Sequence, residues 1–132
     1  MATIKKSYAA ETMLKRTALY GGVTNPLQTQ VYIPTGDVDL ETNGYHGAHV
    51  VVKFKGNNNK DKFVIGVFAS LDGTNYDTEP FMLDEIENKG KPQQISFIVA
   101  DVAHFRIGVK CSDTNTTFEY EILYQAWNES ST

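Results

Sequence analysis

The chain has 132 residues, of which 41% are hydrophobic and 21% are charged, as is ordinary for one soluble globular domain. Its single cysteine, Cys111, excludes an intramolecular disulfide framework and fits a chain made in a reducing cytoplasm. The net charge of −4 argues against broad nucleic-acid binding, and no apolar run approaches the roughly 18 residues of a membrane span.

Residues 1–27 lack strand periodicity and are predicted to form an N-terminal arm, either a short helix or an extended segment. Ser7 is a suitable cap for a helix over residues 8–20, whose composition favours helix, and Gly21-Gly22 would end it. No apolar core follows the two early lysines, so we expect no signal peptide.

The arm is basic although the chain as a whole is acidic. Residues 1–20 hold four basic residues and one acidic residue, a net charge of +3, which leaves −7 for the remainder. This asymmetry favours contact between the arm and an acidic partner. The candidate contact residues are Lys5, Lys6, Tyr8, Lys15 and Arg16.

From residue 28 onward, hydrophobic residues alternate with polar ones, and turn residues recur about every ten positions. This pattern predicts an all-β, two-sheet antiparallel sandwich over residues 28–132, with seven or eight strands and a jelly-roll or Ig-like topology. The predicted strands are 28–33, 38–40, 49–55, 63–70, 81–83, 94–99, 103–111 and 117–127.

The alternation also assigns faces. Val50, Val52 and Phe54 are predicted to point inward, and the almost entirely apolar strand 63–70 should be buried on both faces. Cys111 falls on an inward position, where cysteine behaves as a small hydrophobe.

No residue pattern indicates catalysis. His46, His49 and His104 lack metal-ligand spacing, and the last two are predicted to be solvated on outward strand faces. The acidic stretch that contains Asp84, Glu85 and Glu87 is predicted to be a charged, solvated loop. We therefore predict a non-enzymatic protein without a metal or cofactor.

The stretch ASLDGTNYDTEPF, residues 69–81, is the feature that most resembles a site. Its spacing fails the EF-hand pattern, although a looser calcium site using Asp72, Asn75 and Asp77 stays open. The pair Asp72-Gly73 is favoured where two successive residues must take positive φ, so we predict a corner between two strands.

The sequence VFASLDGTNYDTEPF, followed by AHFRIGVKCSDTNTTFEYEILYQ, resembles a pattern found in β-sandwich structural proteins of tailed bacteriophages. In that pattern a strand ends in Ser-x-Asp-Gly-Thr-Asn-Tyr/Trp, and a later strand reads Phe/Tyr-x-Arg-x-x-Val. The resemblance covers residues 63–125.

The resemblance implies a virion protein, most like a capsid decoration (cement) protein that is assembled in the host cytoplasm. Such proteins bind the major capsid protein or other virion proteins, commonly as homo-oligomers such as trimers, and use an N-terminal arm to hold neighbours. Many modest contacts repeated by capsid symmetry would stabilise the shell. A phage neck or tail completion protein shares the same module and would form larger rings.

The alternative is a carbohydrate-binding β-sandwich module, which presents exposed aromatic rings to sugars. The candidate stacking rings are Tyr45, Tyr76 and Trp127. An exposed coplanar pair among them would favour this alternative, whereas burial of all three would argue against it.

Overall fold

The computed structural model describes residues 4–16 and 27–131, and all of its regular structure is β-strand. No helix long and apolar enough to cross a membrane occurs in these two ranges. The strands are β1 (Ile4–Tyr8), β2 (Thr12–Arg16), β3 (Ile33–Pro34), β4 (Val38–Asp39), β5 (Gly47–Gly56), β6 (Lys62–Ser70), β7 (Met82–Glu87), β8 (Gln93–Ala100), β9 (His104–Cys111) and β10 (Phe118–Ser131).

Two antiparallel sheets pack face to face as a β-sandwich, as the sequence predicted. The first sheet, called sheet A, has the order β1–β10–β5–β8, with β2 also paired to β10. Sheet B has the order β3–β9–β6–β7, with β4 also paired to β9. Every described strand pair is antiparallel, so neighbouring strands need no crossover helix.

The core lies between the sheets and follows the predicted alternation. Val50, Val52 and Phe54 of β5 are fully buried, and Cys111 is buried as well. The Phe54 and Phe63 rings stack across the core with centroids 4.4 Å apart and planes 4° apart. Aromatic packing of this kind fills the centre of the sandwich and fixes how the two sheets face each other.

Strand β6 is buried on both faces, which confirms the prediction made from its apolar run. Its inward residues reach the core, while the outward side chains of Val64 and Phe68 are covered. Gly66 of β6 lies opposite Gly108 of β9, and Tyr32 packs beside both glycines. Two adjacent strands without side chains at this point leave room for an aromatic ring on the outer face of sheet B.

The helix predicted over residues 8–20 is wrong for the part that the structure describes. Strands β1 and β2 run in succession along β10, from the pair Ile4–Ser131 to the pair Arg16–Glu121. Ala9, which lies between β1 and β2, also pairs with β10, because its amide donates a hydrogen bond to the Ala126 carbonyl. Pairing with a distant strand therefore outweighs local helix propensity, and the extended alternative describes these residues. The remainder of the predicted helix, residues 17–20, lies outside the described ranges.

Two other predicted elements differ from the structure. Of the strand predicted at 28–33, only Ile33 is in a strand, the two-residue β3 with Pro34. The Gln28 and Gln30 side chains instead donate hydrogen bonds to carbonyls of the turn at 112–114, and the Thr29 carbonyl accepts the Cys111 amide. The acidic stretch predicted as a loop belongs to strand β7, whose charged residues are exposed. Half-buried Met82 and Ile86 pack against the core and hold that stretch in the sheet.

Candidate functional site

The corner between β6 and β7, residues 69–77, is held in shape by its own side chains, as the turn chemistry predicted. The Asp72 carboxylate accepts hydrogen bonds from the amides of Thr74 and Asn75, each at 2.8 Å. It also accepts from the Ser70 hydroxyl and the Asn75 side-chain amide. These donors hold the pKa of Asp72 well below its usual range, because they stabilise the ionised carboxylate.

The same hydrogen bonds use the carboxylate oxygens that the looser calcium site would need. The Asp72 oxygens already accept several donors, and Asp77 accepts the Ala69 amide at 3.0 Å. A calcium ion would need those oxygens as ligands. Within residues 4–16 and 27–131, no group of three or more His, Cys, Asp or Glu side chains is arranged to hold a metal.

Gly73 supplies the backbone conformation at the tip of the corner. Its φ of +79° lies in the left-handed region that glycine adopts readily. The prediction of positive φ at both residues of the pair is wrong for Asp72, since Asp101 is the one non-glycine residue of the described ranges with a positive φ. A Cβ at this position would come 3.1 Å from Nδ1 of His104. The corner therefore packs directly against the first residue of β9.

His104 is buried, which corrects the prediction that it is a solvated surface histidine. It is only 8% exposed, because the corner and the segment around β4 cover the outward face of sheet B at this point. Its Nδ1 lies 2.8 Å from Asp37 and its Nε2 lies 3.3 Å from Glu41. The hydrogen bond with Asp37 is the largest of the effects that raise the pKa of His104. His49, by contrast, is exposed as predicted.

Asp37 connects this histidine to the corner. Its second carboxylate oxygen accepts the Tyr76 hydroxyl. Burial, followed by this hydrogen bond, raises the pKa of Tyr76. The chain of contacts from Tyr76 through Asp37 to His104 joins three separate segments and makes the corner a rigid support.

An aliphatic side chain projects from that support. Leu71 is 89% exposed, although both of its neighbours in the chain are fixed by hydrogen bonds. Beside it lies an open hollow of about 360 Å³. The hollow is lined by Ala69, Leu71, Tyr76, Val102 and Ala103 and by the polar residues Ser70, Asn75, Asp77 and Asp101. We call Leu71 and this hollow the corner surface.

A second groove, of about 420 Å³, lies on the outer face of sheet B. It is lined by the rings of Tyr32, Phe68 and Tyr76 and by Arg106, with Asp77 and two threonines at its margin. The Arg106 guanidinium lies 4.2 Å from the centre of the Tyr76 ring, and the Lys110 ammonium lies 4.4 Å from that of Tyr32. We call this region the aromatic groove.

The three rings proposed to stack on sugars do not form a platform. Trp127 is 5% exposed and has the Lys6 ammonium 5.0 Å from its ring centre. Tyr45 is half-buried against the core. Tyr76 lines the aromatic groove, and one face of its ring is covered by the Arg106 guanidinium.

The residues proposed for the arm lie along one edge of sheet A. Lys5, Lys6 and Tyr8 belong to β1, while Lys15 and Arg16 belong to β2. Lys6 and Tyr8 are exposed and Lys15 is half-buried. They are brought together by pairing with β10.

Sequence reasoning missed several residues of this region, although two signals were present. Asp37, Asp39 and Glu41 alternate along one short segment, which places their carboxylates on one face beside His104. The paired glycines at 66 and 108 indicate a flat patch on which Tyr32 packs. No comparable pattern in the sequence indicated that Leu71 would be exposed.

No protein-family model and no curated protein matches the chain. Among solved structures, a family two carbohydrate esterase from Cellvibrio japonicus is similar, with a TM-score of 0.51 and 10% sequence identity. The match covers 98% of this chain and 35% of the esterase chain, so the chain spans about a third of that protein. At this identity the likeness concerns the fold alone.

Proposed function

We propose that this chain is a non-enzymatic structural protein that binds the capsid surface of a tailed bacteriophage and stabilises it as a decoration protein. Support comes from the sequence resemblance, which spans residues 63–125 and contains the corner and strand β9. The carboxylates of the corner accept hydrogen bonds from their own loop, as expected for a supporting turn.

The observation that carries the proposal is the corner surface. Leu71 holds an almost fully exposed aliphatic side chain on a hydrogen-bonded turn, and covering it with a partner would remove apolar surface from water. Because the turn is already ordered, binding loses little conformational entropy there. An apolar side chain beside an open hollow that combines apolar walls with polar groups matches a protein–protein contact with an apolar centre and a polar rim.

The test begins with particles purified on density gradients from cells that carry the gene. The chain should be found by mass spectrometry in stoichiometric amounts in these particles. Particles made without the gene should then bind the purified chain in a co-sedimentation assay. Absence from the particles, together with failure to co-sediment, would overturn the proposal.

Two variants locate the contact. Leu71→Asp should weaken binding by roughly thirtyfold, equivalent to about 2 kcal/mol for a central contact residue. Val31→Asp is the matched control, since Val31 is also exposed but lines the aromatic groove. Equal losses in both variants would show that the corner surface is not the contact.

A neck or tail completion protein would instead be recovered with rings at the portal or tail end.

The aromatic groove favours carbohydrate binding as a second candidate. It combines rings, a guanidinium, a carboxylate and hydroxyls, which are the groups that pair with the faces and hydroxyls of a sugar. The similar solved structure is that of a carbohydrate esterase, and the two proteins share a fold. The cations over Tyr32 and Tyr76 would have to move aside before a sugar ring could stack on those faces.

Affinity electrophoresis in gels cast with soluble plant and bacterial polysaccharides separates the two candidates. A carbohydrate-binding module would be retarded by at least one polysaccharide, and Tyr76→Ala together with Arg106→Ala would abolish the retardation. Leu71→Asp would leave such binding unchanged. Unretarded migration in every gel would remove this candidate.

A further inference from the structure

The two sides of the sandwich end in strands of opposite charge. On one side, β1 and β2 form the edge of sheet A, because β10 is their one described pairing partner. On the other side, β7 forms the edge of sheet B and lies beside β8, the edge of sheet A. We call these the basic edge (residues 4–16) and the acidic edge (residues 79–87).

The charge of each edge has one dominant sign. The basic edge contains four lysine or arginine residues and the single acid Glu11. The acidic edge contains four acidic residues and no basic residue, and all four are exposed: Glu79, Asp84, Glu85 and Glu87. Lys62 lies 3.9 Å from Glu85 and offsets one of the four negative charges, so the edge together with Lys62 has a net charge of −3.

Both edges also expose apolar side chains. On the acidic side, Phe81 and Leu83 are about half exposed, as is Ile98 of the adjacent β8. A hollow of about 160 Å³ lies between β7 and β8 and is lined by Leu83 and Phe97 among others. On the basic side, Tyr8 and Met13 are exposed. Each side therefore offers apolar surface bordered by charge of mainly one sign, although β10 sets Glu129 opposite Lys6 and Glu121 opposite Arg16 on the basic side.

This arrangement distinguishes between modes of self-association. Two acidic edges repel one another, as do two basic edges, and such repulsion is a common protection of strand edges against uncontrolled pairing. A basic edge set against an acidic edge meets an attractive field and complementary apolar surface. Charge complementarity therefore selects a head-to-tail contact between copies.

We propose that the partner of the basic edge is the acidic edge of a second copy of this chain. Because the two edges lie on opposite sides of the sandwich, each copy keeps a free edge after one contact forms. Repetition of such a heterologous contact closes into a ring when its rotation allows. The inference stands on the edges alone and holds whether or not the chain decorates a capsid.

Reversal of charge at each edge tests the proposal by sedimentation velocity. The wild-type chain should associate at about 0.01 M salt and dissociate at about 1 M salt, since salt screens the attraction. Glu85→Lys with Glu87→Lys, and separately Lys5→Glu with Lys6→Glu, should each weaken self-association by about tenfold or more. An equimolar mixture of these two double variants should associate again, because each supplies the edge that the other has lost.

Two further proteins serve as controls. The quadruple variant, which carries all four changes, should self-associate no better than either double variant, because the changes bring the acidic edge from −4 to 0 and the basic edge from +3 to −1. Asp113→Lys changes an exposed acid in the β9–β10 turn and should leave association at the wild-type level. Circular dichroism verifies that each variant retains its strands.

A wild-type chain that stays monomeric at low salt would overturn the proposal. So would double variants that associate as well as the wild type, or a mixture that fails to associate. An effect of Asp113→Lys equal to that of the edge variants would also overturn it, since net charge would then be the cause.

Discussion

The Tyr76 hydroxyl donates a hydrogen bond to Asp37, a residue 39 positions earlier in the chain. The other oxygen of that carboxylate is bonded to His104 at the start of β9. One carboxylate thus fixes both the corner that carries Leu71 and the strand on which the corner rests.

Removal of the Tyr76 hydroxyl should therefore loosen the corner. We expect Tyr76→Phe to lower the free energy of unfolding by about 1 kcal/mol, the usual contribution of one hydrogen bond. Urea denaturation followed by circular dichroism measures this change. Tyr124→Phe is the comparison, because Tyr124 of β10 is a half-buried tyrosine that packs against the hydrophobic core. A Tyr76→Phe protein as stable as the wild type would show that the bond contributes nothing.

Stability should depend on the protonation of His104. Its pKa is raised in the folded chain, chiefly by the bond with Asp37, so the folded state binds the proton more tightly than the unfolded state. The resulting stabilisation is fully present below the unfolded pKa of about 6.5 and is lost as the pH rises through the raised folded value. The stability difference between the wild type and His104→Gln should shrink over this pH range.

Asp37→Asn provides a second measurement of the same coupling. Without the carboxylate, the largest cause of the raised pKa is removed, and the pH dependence should flatten. A stability difference between wild type and His104→Gln that grows with pH would contradict the assigned sign.

Most of the sandwich was predictable because its signals are local. The alternation in β5, β9 and β10 assigned their buried faces correctly, and the apolar run of β6 indicated burial on both sides. The strands at residues 4–16 were not predictable in this way, because their pairing partner lies more than a hundred residues away. Helix propensity was the stronger local signal in this segment, but the segment is extended because its backbone forms hydrogen bonds with β10.

In the candidate site, too, some features follow from adjacent residues and others depend on contacts between distant segments. Asp72 and Gly73 identified the corner from adjacent residues alone. His104 meets Asp37 across 67 positions, so its burial and its altered pKa depend on how the segment around β4 folds over β9. Leu71 stands directly before the turn at Asp72 and Gly73, but adjacent residues do not determine whether a leucine in a turn folds back onto the core or projects into solvent.

The glycine at the tip of the corner should not tolerate a side chain. In Gly73→Ala, the positive φ and the contact of the new Cβ with His104 are both unfavourable, and we expect a loss of about 1–2 kcal/mol. Gly36→Ala is the matched control, because nothing lies within 4 Å of a Cβ there. Thermal melts of both proteins compare them directly. Equal melting temperatures would contradict the assigned strain.

Cys111 should resist thiol reagents in the folded protein. Burial raises its thiol pKa to about 11, so the reactive thiolate is scarce at neutral pH. Labelling with a chromogenic disulfide should follow the rate of unfolding and become fast in denaturant. Rapid labelling without denaturant would show that β9 opens locally or that the thiol is accessible.

The position of β10 has a consequence for synthesis on the ribosome. Strand β10 follows all of its partners in the chain, yet it lies between β5 and the paired segment 4–16 in sheet A. Until β10 has been synthesised, β5 lacks the neighbour on one side and the N-terminal strands have no described partner at all. Sheet A therefore closes late, through contacts of high contact order, and we expect slow folding in which nascent chains depend on chaperones until that strand is made.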